Sequence, residues 1–545
     1  MACRPHDRSG PCALTPARSR DDAPGAAGAD AGKLLSQPTG IHQALCADSR
    51  EVSRSGRQDT GDASGADESG GRNRLGGSRF RSVDDFGAGH PRCVGSDGCP
   101  LCREPGEKRR MTMLIKGAAV MGGHTGDLAI KDGVFVDPTS LDTKKAGVEV
   151  IDASGLIALP GLVDLHTHLR QPGMEQAETV LTGSQAAAAG GFTAVFAMAN
   201  TQPVADQVGV TDLVHRLGEE ARYVTVRPIG AVTKGLAGDE LASIAGMAGG
   251  TARVRVFSDD GHCVADAQMM RRALEYVSTF GGVIAQHAQE PRLTDGAQMN
   301  EGALSSRLGL AGWPAVAEEA IIARDVLLAE HTGGRLHICH LSTAGSVDIV
   351  RRAKDRGIDV TAEVTPHHLL LTEDLTADYN PVFKVNPPLR RDSDVQALRE
   401  AVADGTIDIV ATDHAPHPTE SKDCAFDEAA FGMLGLETAL GVVQKALVEP
   451  GHLDWAGVAR VLSTAPAQIG SLDGYDQPLG VGAPAHVVLV DPQAAHPGMR
   501  YTRSDNNPYR TLDLTGHVMW TVHSGLVTVR DGELVSAEKL GPGQA

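Results

Sequence analysis

No stretch of the 545 residues approaches the ~20 consecutive apolar residues that a membrane-spanning helix needs. The N-terminus also lacks the short apolar core of a secretory signal, so the expected location is the cytoplasm, with no membrane partner. Cysteine is sparse where it would matter. Of nine, six (Cys3, Cys12, Cys46, Cys93, Cys99 and Cys102) lie in the first 112 residues. The other three, Cys263, Cys339 and Cys424, are too scattered to frame a disulfide scaffold. Positive charge is short as well. The formal net charge is −19; residues 1–112 hold 17 Lys/Arg against 15 Asp/Glu, leaving 33 against 54, or −21, in the remainder. Such a balance excludes nucleic acid as an expected partner. An anionic small molecule can bind only where metals or an arginine overcome the general field.

Residues 1–112 carry Phe80 and Phe86 as their only aromatics and show no sustained period of 2 or 3.6. They are expected to be disordered, or to be upstream sequence added by a misplaced start. Cys99 and Cys102, with Cys93 and His90 before them, lack the second pair a zinc knuckle needs. From Met113 the texture changes to short apolar strands broken by Gly and Asp: MLIKGAAVM, DLAIKDGVFV and VEVIDASGLIALPG. The same texture returns in AHVVLVDP, HVMWTVHSGLVTV and DGELV, so residues 113–160 and 475–545 are expected to build one small composite β-sandwich.

Between them, over 161–474, eight apolar runs alternate with helical stretches: LVDLHTHL, GFTAVFAMAN, VTVRPIGAV, RVRVFSDDG, GVIAQHAQ, RLHICHLS, DVTAEVTPHH and IDIVATDHAP. An eightfold β/α alternation of this length predicts an α/β fold, a TIM (β/α)8 barrel, with its site at the C-terminal ends of the strands. Polar residues collect there. His166 and His168, two apart on a strand, would present two imidazoles to one point. Asp259 and Asp260 end the fourth run, His287 the fifth, His340 the sixth and Asp413 the eighth. Imidazole with carboxylate suits zinc or a similar divalent ion. Four histidines and two carboxylates exceed the three protein ligands usual for one catalytic zinc, which points to two ions sharing a carboxylate and an activated hydroxide. Asp259 and Asp260 serve equally well as the shared carboxylate on this reasoning.

At these motifs the chain resembles the class I dihydroorotases of the cyclic amidohydrolase superfamily, over essentially all of 113–545. The matching segments are GLVDLHTHLRQPG, AMANTQPV, FSDDG, QHAQE, HICHLST, AEVTPHHLLLT, KVNPPLR, ATDHAPH and FGMLGLET. The resemblance implies two divalent ions, most simply Zn2+, with His166, His168 and Asp413 on the first, His287 and His340 on the second, and Asp260 between them. It makes Asp413 the proton shuttle. It places the substrate carboxylate on Arg170, Asn200 and His417, where the arginine offers a bidentate fork. Asn386 and the backbone around Phe431 and Gly432 would contact a pyrimidine ring, and His168 would border the substrate. The implied reaction is reversible cyclisation of N-carbamoyl-L-aspartate to (S)-dihydroorotate plus water, in de novo pyrimidine (UMP) biosynthesis. A homo-oligomer and association with aspartate transcarbamoylase are the implied assemblies.

The related hydantoinases, dihydropyrimidinases and allantoinases generally bridge their metals with a carbamylated lysine on strand four, and RVRVFSDDG contains no lysine. A non-catalytic scaffold would be expected to have lost ligands, and all are present here. Three positions depart from the common pattern: Gln171 for a frequent glutamate, Ala199 for proline, and Ala288 with Gln289 for Cys-Glu. His262, His367, His368 and His414 lack a ligand role and read as supporting or structural residues. His337, three before His340, has the opposite strand parity and is expected to face the surrounding helices.

Overall fold

A computed structural model of the chain describes residues 111–475 and 478–540. The expectations for residues 1–110, including the cysteine cluster, lie outside the described residues.

Five strands open the described chain: β1 (Thr112–Val120), β2 (Thr125–Lys131), β3 (Val134–Val136), β4 (Val148–Asp152) and β5 (Ile157–Pro160). The middle carries β6 (Leu162–Thr167), β7 (Phe192–Ala197), β8 (Thr225–Pro228), β9 (Val256–Phe257) and β10 (Val283–Gln286). A two-residue pair follows, β11 (Met299–Asn300) and β12 (Gly312–Trp313), then β13 (Arg335–Ile338), β14 (Val360–Val364) and β15 (Ile409–Val410). The chain closes with β16 (Val487–Ala495), β17 (Thr515–His523), β18 (Leu526–Arg530) and β19 (Glu533–Leu534).

The two ends meet in one nine-stranded sheet, ordered β19-β18-β17-β16-β5-β1-β2-β3 with β4 beside β1. Its join is the antiparallel pairing of Val487–Val490 with Ile157–Pro160, all buried. At the far edge Phe135 donates to Ala483 O at 2.9 Å and Ala485 to Gly133 O at 2.9 Å, so β3 meets the segment leading into β16. One apolar face packs Met113, Ile115, Ile130, Phe135, Leu489 and Val522.

The eight apolar runs all become strands, paired parallel as β6-β7-β8 and β9-β10-β13-β14-β15. Single parallel bridges link the two sets at both ends, Gly230 with Phe257 and Thr167 with His414. Helices fill the connections where the sequence supplies a start signal. Thr179 caps Val180–Ala189 with a capping box, Asp266 caps Ala267–Ser278 and Thr343 caps Ala344–Asp355. A large cluster of Leu, Ile, Val and Ala fills the space between these helices and the strands. A second cluster holds Val163, Leu165, Phe196, Ile229, Ala285, Cys339 and Ile409 with Leu472 and Tyr475. On β10 the two clusters separate the inward from the outward set: Val283 and Ala285 belong to the inner one and Ile284 to the outer.

His337 departs from expectation. Its Nε2 lies 3.0 Å from Glu363 Oε2 and its Nδ1 2.9 Å from Thr361 Oγ1, so it faces its neighbour strand and not the helices. Counting parity back from His340 failed because β13 stops at Ile338 and His340 sits in left-handed backbone, at φ 34°. The alternation ends two residues before the histidine used as the reference.

Candidate metal centre and active site

Six buried residues from five strand ends converge. Asp260, just beyond β9, presents one oxygen to each half of the cluster. Oδ2 lies 3.4 Å from His166 Nε2 and 3.3 Å from His168 Nε2; Oδ1 lies 3.2 Å from His287 Nδ1 and 3.3 Å from His340 Nε2. Asp413 faces the first pair, its Oδ1 at 3.1 Å from His168 Nε2 and 3.5 Å from His166 Nε2. Asp259 turns away. Its Oδ1 accepts from the backbone N–H groups of Val232 (2.8 Å) and Thr233 (3.0 Å), and its Oδ2 from the Thr233 hydroxyl. The geometry thus separates two neighbours that strand-end counting treats alike.

The outer ring nitrogens settle which atoms face inward. His166 Nδ1 is 2.6 Å from Glu363 Oε1, His168 Nδ1 is 2.9 Å from Asn200 Oδ1, and His287 Nε2 is 2.7 Å from Gln289 Oε1. Each of these oxygens accepts a hydrogen bond from its ring N–H, which aims the other nitrogen's lone pair at the Asp260 and Asp413 carboxylates. Lone pairs and carboxylates confronting one another in a buried pocket are repulsive unless cations stand between them. His166 Nε2 is accordingly a buried nitrogen with no hydrogen-bond partner. Burial disfavours charge on His166, yet Asp260, Glu363 and Asp413 outweigh it and hold its pKa well above the ordinary value. Asp413 goes the other way. Burial pushes its pKa up, but His166, His168 and His340 bring it below the usual carboxylate range.

Among the described residues, three groups have ligand atoms close enough to hold a metal: His166, His168 and Asp413; His166, Asp260 and His340; and His166, Cys339 and Glu363. The first is the set expected around one ion; the second joins His166, expected on that same ion, to Asp260 and His340. His287 stands outside these groups but joins them through Asp260. In the third, Glu363 is already engaged by His166 and His337, and burial with the Glu363 charge pushes the Cys339 thiol up. That group reads as support for His166.

The expected substrate residues lie close to this cluster. Arg170, 9% exposed, donates through Nε to Pro416 O at 3.1 Å. Burial lowers its pKa to about 10, opposed by Asp413, Asp260 and Glu178, so it stays charged at neutral pH. Asn386 donates to Gln289 Oε1 at 3.2 Å and keeps a buried Oδ1 without a partner. His417 Nε2 lies 2.7 Å from Phe431 O, and its backbone N–H donates to Asn506 Oδ1 at 3.2 Å. Burial, Arg170 and Lys422 depress the His417 pKa to about 3, leaving the ring neutral. Gly432, at φ 144°, must be glycine, since a Cβ there would stand 2.7 Å from His417 Nε2. Phe431 packs edge-on to Trp313 and under the Lys384 ammonium, 4.5 Å from its ring centre.

Sequence reasoning missed Glu363, the residue that orients His166, and Asp164, which accepts from the Thr412 hydroxyl at 2.5 Å beside Asp413. A signal was available. Each is an acid inside an otherwise apolar strand, in TAEV and LVDL, where an unpaired charge is too costly to be idle. The departures find uses: Gln289 holds His287, and Gln171 Oε1 accepts from Val180 N at 3.0 Å at a helix start.

Solved structures of L-hydantoinase from Arthrobacter aurescens (TM-score 0.67, 23% identity) and dihydropyrimidinase from Brevibacillus agri (TM-score 0.66, 21% identity) share this fold. Each match takes in 78% of this chain and 98% and 96% of those chains respectively. These matches show the fold, and with the His/Asp cluster they define a protein that gathers metal-capable side chains at the ends of its parallel strands. A family model described as dihydro-orotase-like matches residues 155–346. The curated dihydroorotase of Leifsonia xyli subsp. xyli is 63% identical over 78% of this chain and 98% of its own length; that of Streptomyces coelicolor is 62% identical, over 77% and 99%. That of Mycobacterium tuberculosis is 53% identical over 78% and 100%. The chain belongs to the dihydroorotase family.

Proposed function

We propose that the chain interconverts N-carbamoyl-L-aspartate and (S)-dihydroorotate by means of two divalent ions at His166, His168, Asp260, His287, His340 and Asp413. One observation carries this reading: four imidazoles bring a ring nitrogen to the two oxygens of Asp260, with Arg170 two residues beyond His168. Two ions held there would supply a Lewis acid for the ring amide oxygen and an activated water as nucleophile, and Zn2+ suits the nitrogen and oxygen donors. The family membership supports the same chemistry.

In the hydrolytic direction Asp413, ionised in its basic surroundings, takes the nucleophile's proton and returns it to the leaving ring nitrogen. Arg170 binds the substrate carboxylate through its terminal nitrogens. Asn200, fixed to His168 through Oδ1, keeps its amide N–H groups for the same anion. The unpartnered Oδ1 of Asn386 accepts a ring N–H. His417 is neutral with one N–H committed to Phe431 O, so it joins the anion only by releasing that carbonyl or gaining a proton, both of which an incoming carboxylate favours.

The eight parallel strands close into a barrel on this reading, supported by the Gly230–Phe257 and Thr167–His414 bridges, and the joint sheet of both chain ends forms the accompanying β-sandwich. Residues 161–474 then make the barrel and 113–160 with 475–545 the sandwich. The first relative aligns over 429 residues, close to the length of 113–545. No helix among the described residues is long and apolar enough to cross a membrane. A cytoplasmic homo-oligomer, free to associate with aspartate transcarbamoylase, completes the proposal.

Carbamoyl aspartate carries one more negative charge than dihydroorotate, so closure consumes a proton and acid shifts the balance towards the ring. The test is an assay of both directions with zinc-loaded protein, together with Asp413→Asn. A drop in kcat of roughly 10²–10⁴-fold is expected for the variant. Full activity of Asp413→Asn, a product ratio independent of pH, or faster turnover of dihydrouracil than of dihydroorotate would contradict the reading.

A further inference from the structure

Away from the metal centre lies a cavity of about 600 Å³, lined chiefly by the segment 496–514 and by Leu434. Its volume is that of a small-molecule site. In a protein of net charge −19, three arginines line it: Arg500, Arg503 and Arg510. Two are paired weakly. Arg500 meets Glu533 and also donates to Gly532 O at 2.7 Å, while Arg510 meets Asp505; both carboxylates are 68% exposed, so water screens the ion pairs and an incoming anion can compete with them. The Arg503 guanidinium has no hydrogen-bond or ion-pair partner among the described residues; only its backbone N–H is engaged, by Glu178. Tyr509 borders the same cavity with the 3% of its surface that is exposed, its hydroxyl turned into the interior.

We propose that this cavity binds a phosphate monoester of nucleoside-monophosphate size, its phosphoryl oxygens on Arg503 and the neighbouring arginines and its organic part against Pro497, Met499 and Leu512. The three guanidiniums supply the forked donors a phosphoryl group accepts. The apolar wall and the volume exceed what inorganic phosphate uses. The site is separate from the substrate opening but touches its frame. Asn506, in the same segment, accepts from the His417 N–H at 3.2 Å and donates to Ala415 O (2.9 Å) and Gly432 O (3.2 Å).

The experiment is calorimetric titration of the full metal-loaded chain, saturated with dihydroorotate, with uridine and adenosine 5′-monophosphates, the matching nucleosides and inorganic phosphate. One saturable site per chain for a monophosphate is expected, weakened roughly 10- to 100-fold in Arg503→Ala, as loss of a charged hydrogen bond implies. Arg503 is exposed and outside the proposed catalytic machinery, so the variant should keep wild-type turnover, which verifies its fold. Arg510→Ala should weaken binding in the same direction. Absence of saturable binding, binding unchanged in Arg503→Ala, nucleosides binding as tightly as their phosphates, or inorganic phosphate binding as tightly as the monophosphates would overturn the proposal. Competition between the monophosphate and dihydroorotate would do so too, by placing the ligand in the substrate opening.

Discussion

Asp259 and Asp260 are adjacent, both buried, and do opposite work. Asp260 spends its oxygens on four histidines, while Asp259 spends its own on the backbone and hydroxyl of Val232 and Thr233. Asp260→Asn is therefore expected to lose bound metal and activity together. Asp259→Asn should keep its metals and lose stability instead, by about 1–3 kcal/mol for a disturbed buried network. Metal analysis with denaturant unfolding of both variants separates the two roles, and metal loss in Asp259→Asn alone would reverse them. Glu363→Gln should weaken metal binding by roughly 10–100-fold, because it loosens the hydrogen bond that fixes the His166 ring. That His166, His168, Asp260, His287, His340 and Asp413 converge was legible in the sequence because histidines and aspartates recur at strand ends. The supporting acids were not, because Glu363 and Asp164 sit within strands, where alternation alone does not say what a buried charge meets.

At the scale of the element, the segment from Lys422 to Gly432 rests the backbone proposed to contact the ring on a buried ammonium. Lys422 donates to Pro381 O (3.0 Å) and Lys384 O (2.9 Å), and burial, with Lys384 adding to it, lowers its pKa to about 7. An unfolded lysine titrates near ~10.4. Between pH 7 and about 10 the unfolded chain thus holds a proton the folded chain has shed, so this group makes stability rise with pH across that window. Below pH 7 both states are protonated and the cost of the buried charge is present in full. Lys422→Met should lose this slope, as urea unfolding at pH 7, 8.5 and 10 would reveal; parallel pH curves for the two proteins would contradict it. Gly432→Ala tests the same segment. Its Cβ would crowd His417 Nε2 at 2.7 Å and the Ala415 Cβ at 2.8 Å, so KM should rise while bound metal stays unchanged. Strand ends were the hard part to foresee. Arg170, His340 and Asp413 all take left-handed backbone, at φ 59°, 34° and 45°, a conformation that ends alternation and that no side-chain pattern announces.

For the whole molecule, the eight apolar runs and the kinship of the two chain ends were legible because burial on both faces and period-2 texture survive in sequence. How the ends join was not. The pairing of β16 with β5 depends on contacts more than 300 residues apart, with Val487, Val488 and Leu489 fully buried there. The short β11–β12 pair was also invisible, two residues per strand being too few to carry a period. A chain ending at residue 484 would expose the β5 edge directly before the strand that carries His166. It is expected to lose cooperative unfolding, where independence of the barrel from this sheet would leave the transition intact. The central claim, that both oxygens of Asp260 join two ions, is tested most directly by anomalous scattering from crystals of the zinc-loaded chain. The account predicts two peaks, ~3.5–4 Å apart, one beside His166 and His168 and the other beside His287 and His340. A single peak, or two that do not share Asp260, would contradict it.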